Sequence, residues 1–291
     1  MRIGTFTDGR TRRVAVERDG GRRMLAPAAG DERSVILAAL ADPEDFSHRH
    51  DAGALPADFE PSMPYMPERD PFCLGKNYRE HAEEFARFNG DAEAVPPAPV
   101  VFTKSAAALC GPSDPIVVAP ELAPALDYEA ELLVVIGRPG SGVPVADALQ
   151  YVAGYSVLND TTARDLQRLH AQWYLGKSLP AATPWGPVIV TPEELEPLAE
   201  RRIGSSVNDE VRQGAQLRQM IFSVAEAVAG ISRIVALRPG DLIAMGTPSG
   251  VGVGFDPPRF LAHGDEVQCW VEGIGHLRNR IVVGEPAVVA R

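Results

Sequence analysis

The stretch Asp127-Tyr128-Glu129-Ala130-Glu131 runs directly into Leu132-Leu133-Val134-Val135-Ile136, and Gly137 ends it. The apolar run is strand-like. Residues two apart on a strand share a face, so Glu129 and Glu131 point the same way beside a buried segment. Carboxylates that close repel each other unless positive charge sits between them. A hard divalent cation held through oxygen supplies that charge. The same five residues also read as a solvated edge strand with a polar face, which needs no ligand.

Bulk properties narrow the setting. A length of 291 residues suits one large domain, or one domain with a small attachment, and 45% apolar residues suffice for a core. A formal net charge of -11 argues against a nucleic-acid partner held by phosphate contacts and against docking on an acidic membrane. Cys73, Cys110 and Cys269 form no CxxC pair and suggest no disulfide framework. With no apolar signal segment and no run approaching a membrane span, the chain reads as a soluble cytoplasmic protein. Its 28 cationic residues include only three lysines, Lys76, Lys104 and Lys177. In a chain that otherwise writes arginine, a lysine either marks a place needing a compact, titratable ammonium or falls there by chance.

The front of the chain reads as a hairpin over Met1 to Arg23, turning at Asp8-Gly9, then a short helix over Ser34 to Leu40. Residues 41–71 are rich in Asp, His and Pro and read as a linker. This gives a small N-terminal module and linker over 1–68 and a main domain over 69–291. His48 and His50 read as surface residues. Phe72 to Arg79 reads as a strand entering a glycine turn, and Glu80 to Phe88 as a helix. On that helix His81 and Glu84 are neighbours. The pair makes either a general base with its tautomer fixed by the carboxylate, or an exposed polar surface. The Gly- and Pro-rich loop after it, including Asn89-Gly90-Asp91, suits a lid.

Further on, Asp160 follows a strand over Tyr151 to Leu158 and reads as a helix N-cap or as a third oxygen ligand. Lys177 suits stabilising a developing enolate, or a salt bridge to one of the acids. Pro184-Trp185-Gly186-Pro187 reads as a turn. Leu217, Met220, Ile221, Val224, Ala225 and Val228 recur at helix spacing as a core-facing stripe. Gly246 to Gly254 is glycine-dense but lacks the Gly-Lys-Ser/Thr ending of a phosphate loop. It suits bringing N–H groups and the Thr247 hydroxyl to a substrate anion. His276 reads as structural.

Cys73-Leu74-Gly75-Lys76-Asn77-Tyr78 with His81 and Glu84, Asp127 to Glu131, Asn159 to Asp165, Gly176-Lys177-Ser178 and Gly246 to Gly252 occur in that order. Together they resemble the fumarylacetoacetate hydrolase family over residues 70–281, in its acylpyruvase and 2-oxo acid hydrolase–decarboxylase branch. The resemblance implies a β-rich α+β fold around a mixed β-roll, and a homodimer. It implies Mg²⁺ or Mn²⁺ on Glu129, Glu131 and Asp160, catalysis by His81, Glu84 and Lys177, and substrate contacts from Gln167 and Thr247. Lys104 joins the substrate-binding set through the lysine argument.

The expected reaction is metal-dependent hydrolysis of a carbon–carbon bond in a 1,3-diketo acid of acylpyruvate or fumarylpyruvate type, as in aromatic catabolism. His81 would activate water, and Lys177 with the cation would stabilise the enolate left behind. The rivals are decarboxylation of oxaloacetate or a related β-keto acid, and isomerisation or dehydration of a related 2-oxo acid. A metal-holding scaffold without catalysis is the non-enzymatic alternative.

Overall fold

The computed structural model describes residues 1–18, 20–26, 31–89, 95–122 and 124–285. The acidic run forms the strand Ala130–Ile136, buried along its whole length. It lies inside a 12-stranded mixed sheet. One neighbour is Val152–Asn159, antiparallel, with Ala130 opposite Asn159 and Glu131 opposite Leu158. The other is Leu242–Ala244, also antiparallel. Phe72–Gly75 runs parallel to Leu242–Ala244, and Val100–Thr103 lies beyond it. In the other direction Thr183–Val190 pairs with Val152–Asn159 and passes the sheet on to Arg2–Thr7.

The apolar run is unbroken because both faces of its strand are covered. Leu132, Val134 and Ile136 enter one core with Ile203, Val207, Val267, Cys269 and Leu277. Those partners belong to a five-stranded sheet that includes Arg202–Val207, Glu266–Val271 and Gly275–Val283. Leu133 and Val135 enter a second core with Val35, Ile36, Ala39 and Leu40 of the helix Glu32–Ala41. Each fully buried aliphatic side chain stabilises such a sheet by about 1.5–3 kcal/mol. Glu131 continues the Leu133–Val135 row to the end of the strand, so the packed strand fixes where the acids emerge.

The front hairpin forms as expected, with Arg2–Thr7 antiparallel to Arg12–Arg18. Residues 41–71 differ from the expected linker. They contain the helix Pro43–Arg49 and the strands Asp51–Ala54 and Glu60–Ser62. Asp42 and Pro43, which resemble loop residues, are the N-cap and first turn of that helix. The two short strands attach to Gly21–Leu25 and Arg2–Thr7, too briefly to show a period in sequence. His50 stacks on Phe46 at 4.2 Å, while the His48 side chain lies outside those described.

Pro184 to Pro187 is part of the strand Thr183–Val190 rather than a turn, because Val157 and Leu158 pair across it and Gly186 takes φ 128. The predicted helix through Leu217 begins only at Val224. Ser223 and Glu226 form a reciprocal capping box that starts it there. Leu217 stays buried through a separate short 3-10 turn, Leu217–Gln219. Among the described residues no helix is long and apolar enough to cross a membrane.

Candidate active site

Glu129 precedes the central strand, Glu131 lies in it, and Asp160 follows the paired strand Val152–Asn159. The Asp160 N–H donates to the Glu129 carbonyl at 2.8 Å, which brings the two strand ends together. One oxygen from each of the three carboxylates lies within 4.8 Å of the others, and all three residues are buried. Asp160 is therefore not a helix cap. The following helix, Arg164–Leu169, starts after Ala163 without a side-chain cap.

Three buried cations surround this floor. Lys177 Nζ donates to Glu129 Oε2 and to Asp160 Oδ2, each at 2.7 Å. Lys104 Nζ pairs with Asp160 Oδ1 and donates to the Thr161 carbonyl at 3.4 Å. Arg164 Nε donates to Asp127 Oδ2 at 2.8 Å, and its Nη2 lies 2.7 Å from Glu129 Oε1. Lys104 thus sits behind Asp160, fully buried and outside the cleft lining, where it braces the acid.

The electrostatics are uneven. Burial pushes Glu129 upward, but Lys177, Arg164 and His81 outweigh it and hold its pKa at about 2. Burial, followed by Asp160 and Glu129, pushes Glu131 well above the usual carboxylate range, despite Lys177 and the Gly246 N–H. Burial opposes the charge on Lys177, yet Asp160 and Glu129 prevail and raise its pKa, so it remains an ammonium. Four buried carboxylates (Asp127, Glu129, Glu131 and Asp160) face three buried cations, and Glu131 carries the imbalance.

His81 and Glu84 share the helix Arg79–Asn89, with His81 Nδ1 at 3.5 Å from Glu84 Oε2. The Gly250 N–H donates to Glu84 at 3.0 Å and holds the carboxylate. Gly254 also lies against Glu84: a Cβ there would come within 2.8 Å of its carboxyl group. The helix is therefore pinned from the glycine-dense segment. Residues 90–94 of the predicted lid loop lie outside the described residues, as do the side chains of Phe85 and Phe88.

A tight cleft with about 20 Å³ of free volume opens above the floor. Its lining includes His81, Gln167, Lys177 and Thr247, as well as Glu129 and Glu131. Sequence reasoning gave no role to three further lining residues, Arg164, Trp173 and Phe102. Trp173 and Phe102 meet edge to face at 5.1 Å, and Gly75 is glycine because a Cβ would sit 2.3 Å from the Trp173 ring. Arg164 also donates to Gln167 Oε1 at 3.1 Å and so orients it.

The glycine-dense segment works differently from the expectation. Its N–H groups serve the chain's own carboxylates: Gly246 donates to Glu131, Gly250 to Glu84, and Gly252 and Val253 to Asp127. Thr247 Oγ1 accepts from Gln213 Nε2 at 2.7 Å, which leaves its own proton to donate into the cleft. Gln213 is another residue the sequence did not single out. Its carbonyl oxygen also accepts from Ala130 N–H and the Ser205 hydroxyl.

Glu129, Glu131 and Asp160 suit a divalent oxygen-seeking ion. The converging donors are all buried carboxylate oxygens, and a cation among them would offset the burial and the like-charge repulsion from Asp160 and Glu129 that raise the pKa of Glu131.

The chain belongs to the fumarylacetoacetate hydrolase family: the profile described as Fumarylacetoacetate (FAA) hydrolase C-terminal matches residues 71–282. Oxaloacetate tautomerase YisK of Bacillus subtilis is 43% identical over 215 residues, covering 74% of this chain and 70% of that protein. The fumarylacetoacetate hydrolase structure from Exiguobacterium antarcticum has a TM-score of 0.84 at 36% identity, covering 98% of this chain and all of that one. A 2-hydroxyhepta-2,4-diene-1,7-dioate isomerase from Mycobacterium marinum has a TM-score of 0.78 at 31% identity, with 98% of this chain and 100% of that chain covered. The β-rich α+β fold expected from the sequence is the fold of these proteins.

Proposed function

We propose that this protein interconverts the keto and enol forms of oxaloacetate or a closely related 2-oxo diacid. This replaces carbon–carbon hydrolysis as the leading reading. The similarity to an oxaloacetate tautomerase and to a dioate isomerase supports it. The observation that carries it is Lys177, a buried ammonium at 2.7 Å from both Glu129 and Asp160, facing the same cleft as His81. That arrangement suits one proton transfer next to one stabilised oxyanion, which is all a tautomerase needs.

In this reading residues 69–291 are the catalytic unit and carry every site residue. Glu84 accepts from His81 Nδ1–H and leaves Nε2 as the base. Nε2 takes a proton from C3 of the keto acid, and the C3–H electron pair becomes the C2–C3 double bond of the enolate. The ammonium of Lys177 stabilises the negative charge on O2. Returning a proton to O2 completes the enol, and the reverse sequence gives the keto form. Gln167 and Thr247 orient the C1 carboxylate, and Arg164 holds Glu129 and Gln167 in place. Glu129, Glu131 and Asp160 would hold Mg²⁺ or Mn²⁺, which when bound adds positive charge that favours the enolate.

The test follows the enol absorbance of oxaloacetate against its spontaneous decay, with product trapping from oxaloacetate and an acylpyruvate run alongside. The proposal expects faster enol–keto equilibration without stoichiometric pyruvate or carboxylic acid. Efficient acylpyruvate cleavage with no effect on the enol signal would return the assignment to hydrolysis.

A further inference from the structure

The floor of the cleft accounts for one end of a 2-oxo acid, and the rim has its own chemistry. Lys76 lines the cleft and is half-buried, whereas Glu131 and Lys177 beneath are almost completely enclosed. Lys76 directly follows the strand Phe72–Gly75.

Its position is tightly built. Phe72–Gly75 runs parallel to Leu242–Ala244, so the chain after Gly75 and the chain after Ala244 leave the sheet at the same end. Both segments line the cleft: Thr247 is buried beside the Gly246–Glu131 contact near the floor, and Lys76 is the more exposed of the two. Lys76 has φ 57, a left-handed backbone that a lysine rarely adopts. Both neighbours enforce it. Gly75 is pressed against the Trp173 ring. The Asn77 side chain donates to the Phe222 and Met245 carbonyls and accepts from Phe222 N–H. Glycine would take that conformation freely, yet a long cation occupies it. Strained residues held by their surroundings at a cleft are a recognised sign of function.

We infer that Lys76 is the specificity residue for the distal carboxylate of the substrate, so that the site selects C4 diacids over 2-oxo monoacids. The inference rests on the tautomerase reading for the orientation of the substrate. With the C1 carboxylate and 2-oxo group directed at the acidic floor, C3 lies towards His81 and C4 towards the rim. An ammonium there meets the C4 carboxylate in a charge-assisted hydrogen bond. The same contact restrains C4 while C3 loses its proton.

Binding calorimetry with Mg²⁺ present tests this, using oxaloacetate and pyruvate, which lacks only the C4 carboxylate. The parent protein is expected to prefer oxaloacetate. Lys76→Met and Lys76→Gly should each weaken oxaloacetate about 10- to 100-fold, as loss of one charged hydrogen bond does, with pyruvate unchanged. The glycine variant satisfies φ 57 without strain and so separates the charge from the backbone. Lys76→Arg should restore most of the preference. Equal affinity of the parent for both ligands, retained preference in the variants, or equal weakening of both ligands would each overturn the inference. Because binding is the readout, a parent that prefers oxaloacetate through Lys76 but leaves its enol signal unchanged would sink the reaction and not this role.

Discussion

Lys177→Met removes one buried cation from a floor that holds four buried carboxylates. The lost ammonium lies 2.7 Å from two of them. Removing one partner of a buried ion pair typically costs about 3–5 kcal/mol. Glu131, already pushed towards its protonated form, can take up a proton and relieve part of the repulsion, so the lower end applies. At about 2–4 °C per kcal/mol for large domains, 3 kcal/mol lowers Tm by roughly 6–12 °C in the presence of a chelator. Mn²⁺ should then rescue the variant more than it stabilises the parent, because the ammonium that repels an incoming ion has gone. A tenfold tighter Kd for Mn²⁺ corresponds to about 1.4 kcal/mol. Turnover should nevertheless fall by about 10²- to 10³-fold, since the enolate loses its charged donor. Thermal unfolding with and without Mn²⁺, Mn²⁺ binding followed by electron paramagnetic resonance, and the enol assay read the three effects separately. Weaker Mn²⁺ binding in the variant, or unchanged turnover, would refute this account of Lys177.

Other consequences are more local. His81→Ala should cut tautomerisation by about 10²- to 10⁴-fold, and Glu84→Gln by less, because the imidazole remains while its orientation weakens; kcat/KM at saturating metal measures both. Glu131→Gln should abolish the metal dependence of turnover, which titration after exhaustive chelation checks. Ser223→Ala should lower stability by about 1 kcal/mol through loss of the capping box, as denaturant unfolding would show. Glu226 is held below its ordinary 4.5 by the Ser223 hydroxyl and N–H. Its share of stability is therefore present above that value and lost as pH falls through the lower folded pKa, so Glu226→Ala should cost less in acid than at neutral pH.

The acids were legible because strand period and an apolar run are local properties of sequence. Glu129 and Glu131 share a face as their spacing requires, and the antiparallel register at Ala130–Asn159 delivers Asp160 to them. The i,i+3 spacing likewise identified His81 and Glu84, since helix neighbours are set by geometry alone. Arg164 and Gln213 escaped notice because their partners are remote in the chain: Asp127 and Glu129 for one, Ala130 and Thr247 for the other. Such residues become recognisable only once topology has assembled the pairs. Lys104 illustrates the same limit. Its type suggested a substrate contact, while burial behind Asp160 gives it a bracing position. The late start of the helix at Val224 was encoded locally by Ser223 and Glu226, but the hydrophobic stripe through Leu217 masked that stop. In Pro184 to Pro187, pairing to the neighbouring strand overrode turn-forming residues.

On the proposed function, this cleft moves a proton at C3 of a 2-oxo diacid without breaking a carbon–carbon bond. Proton magnetic resonance of oxaloacetate in D₂O measures that step directly. The protein should accelerate deuterium incorporation at C3 above the spontaneous rate, His81→Ala should remove the acceleration, and pyruvate should not accumulate in step with it. Pyruvate formed at the rate of turnover with no acceleration of C3 exchange would overturn the tautomerase assignment.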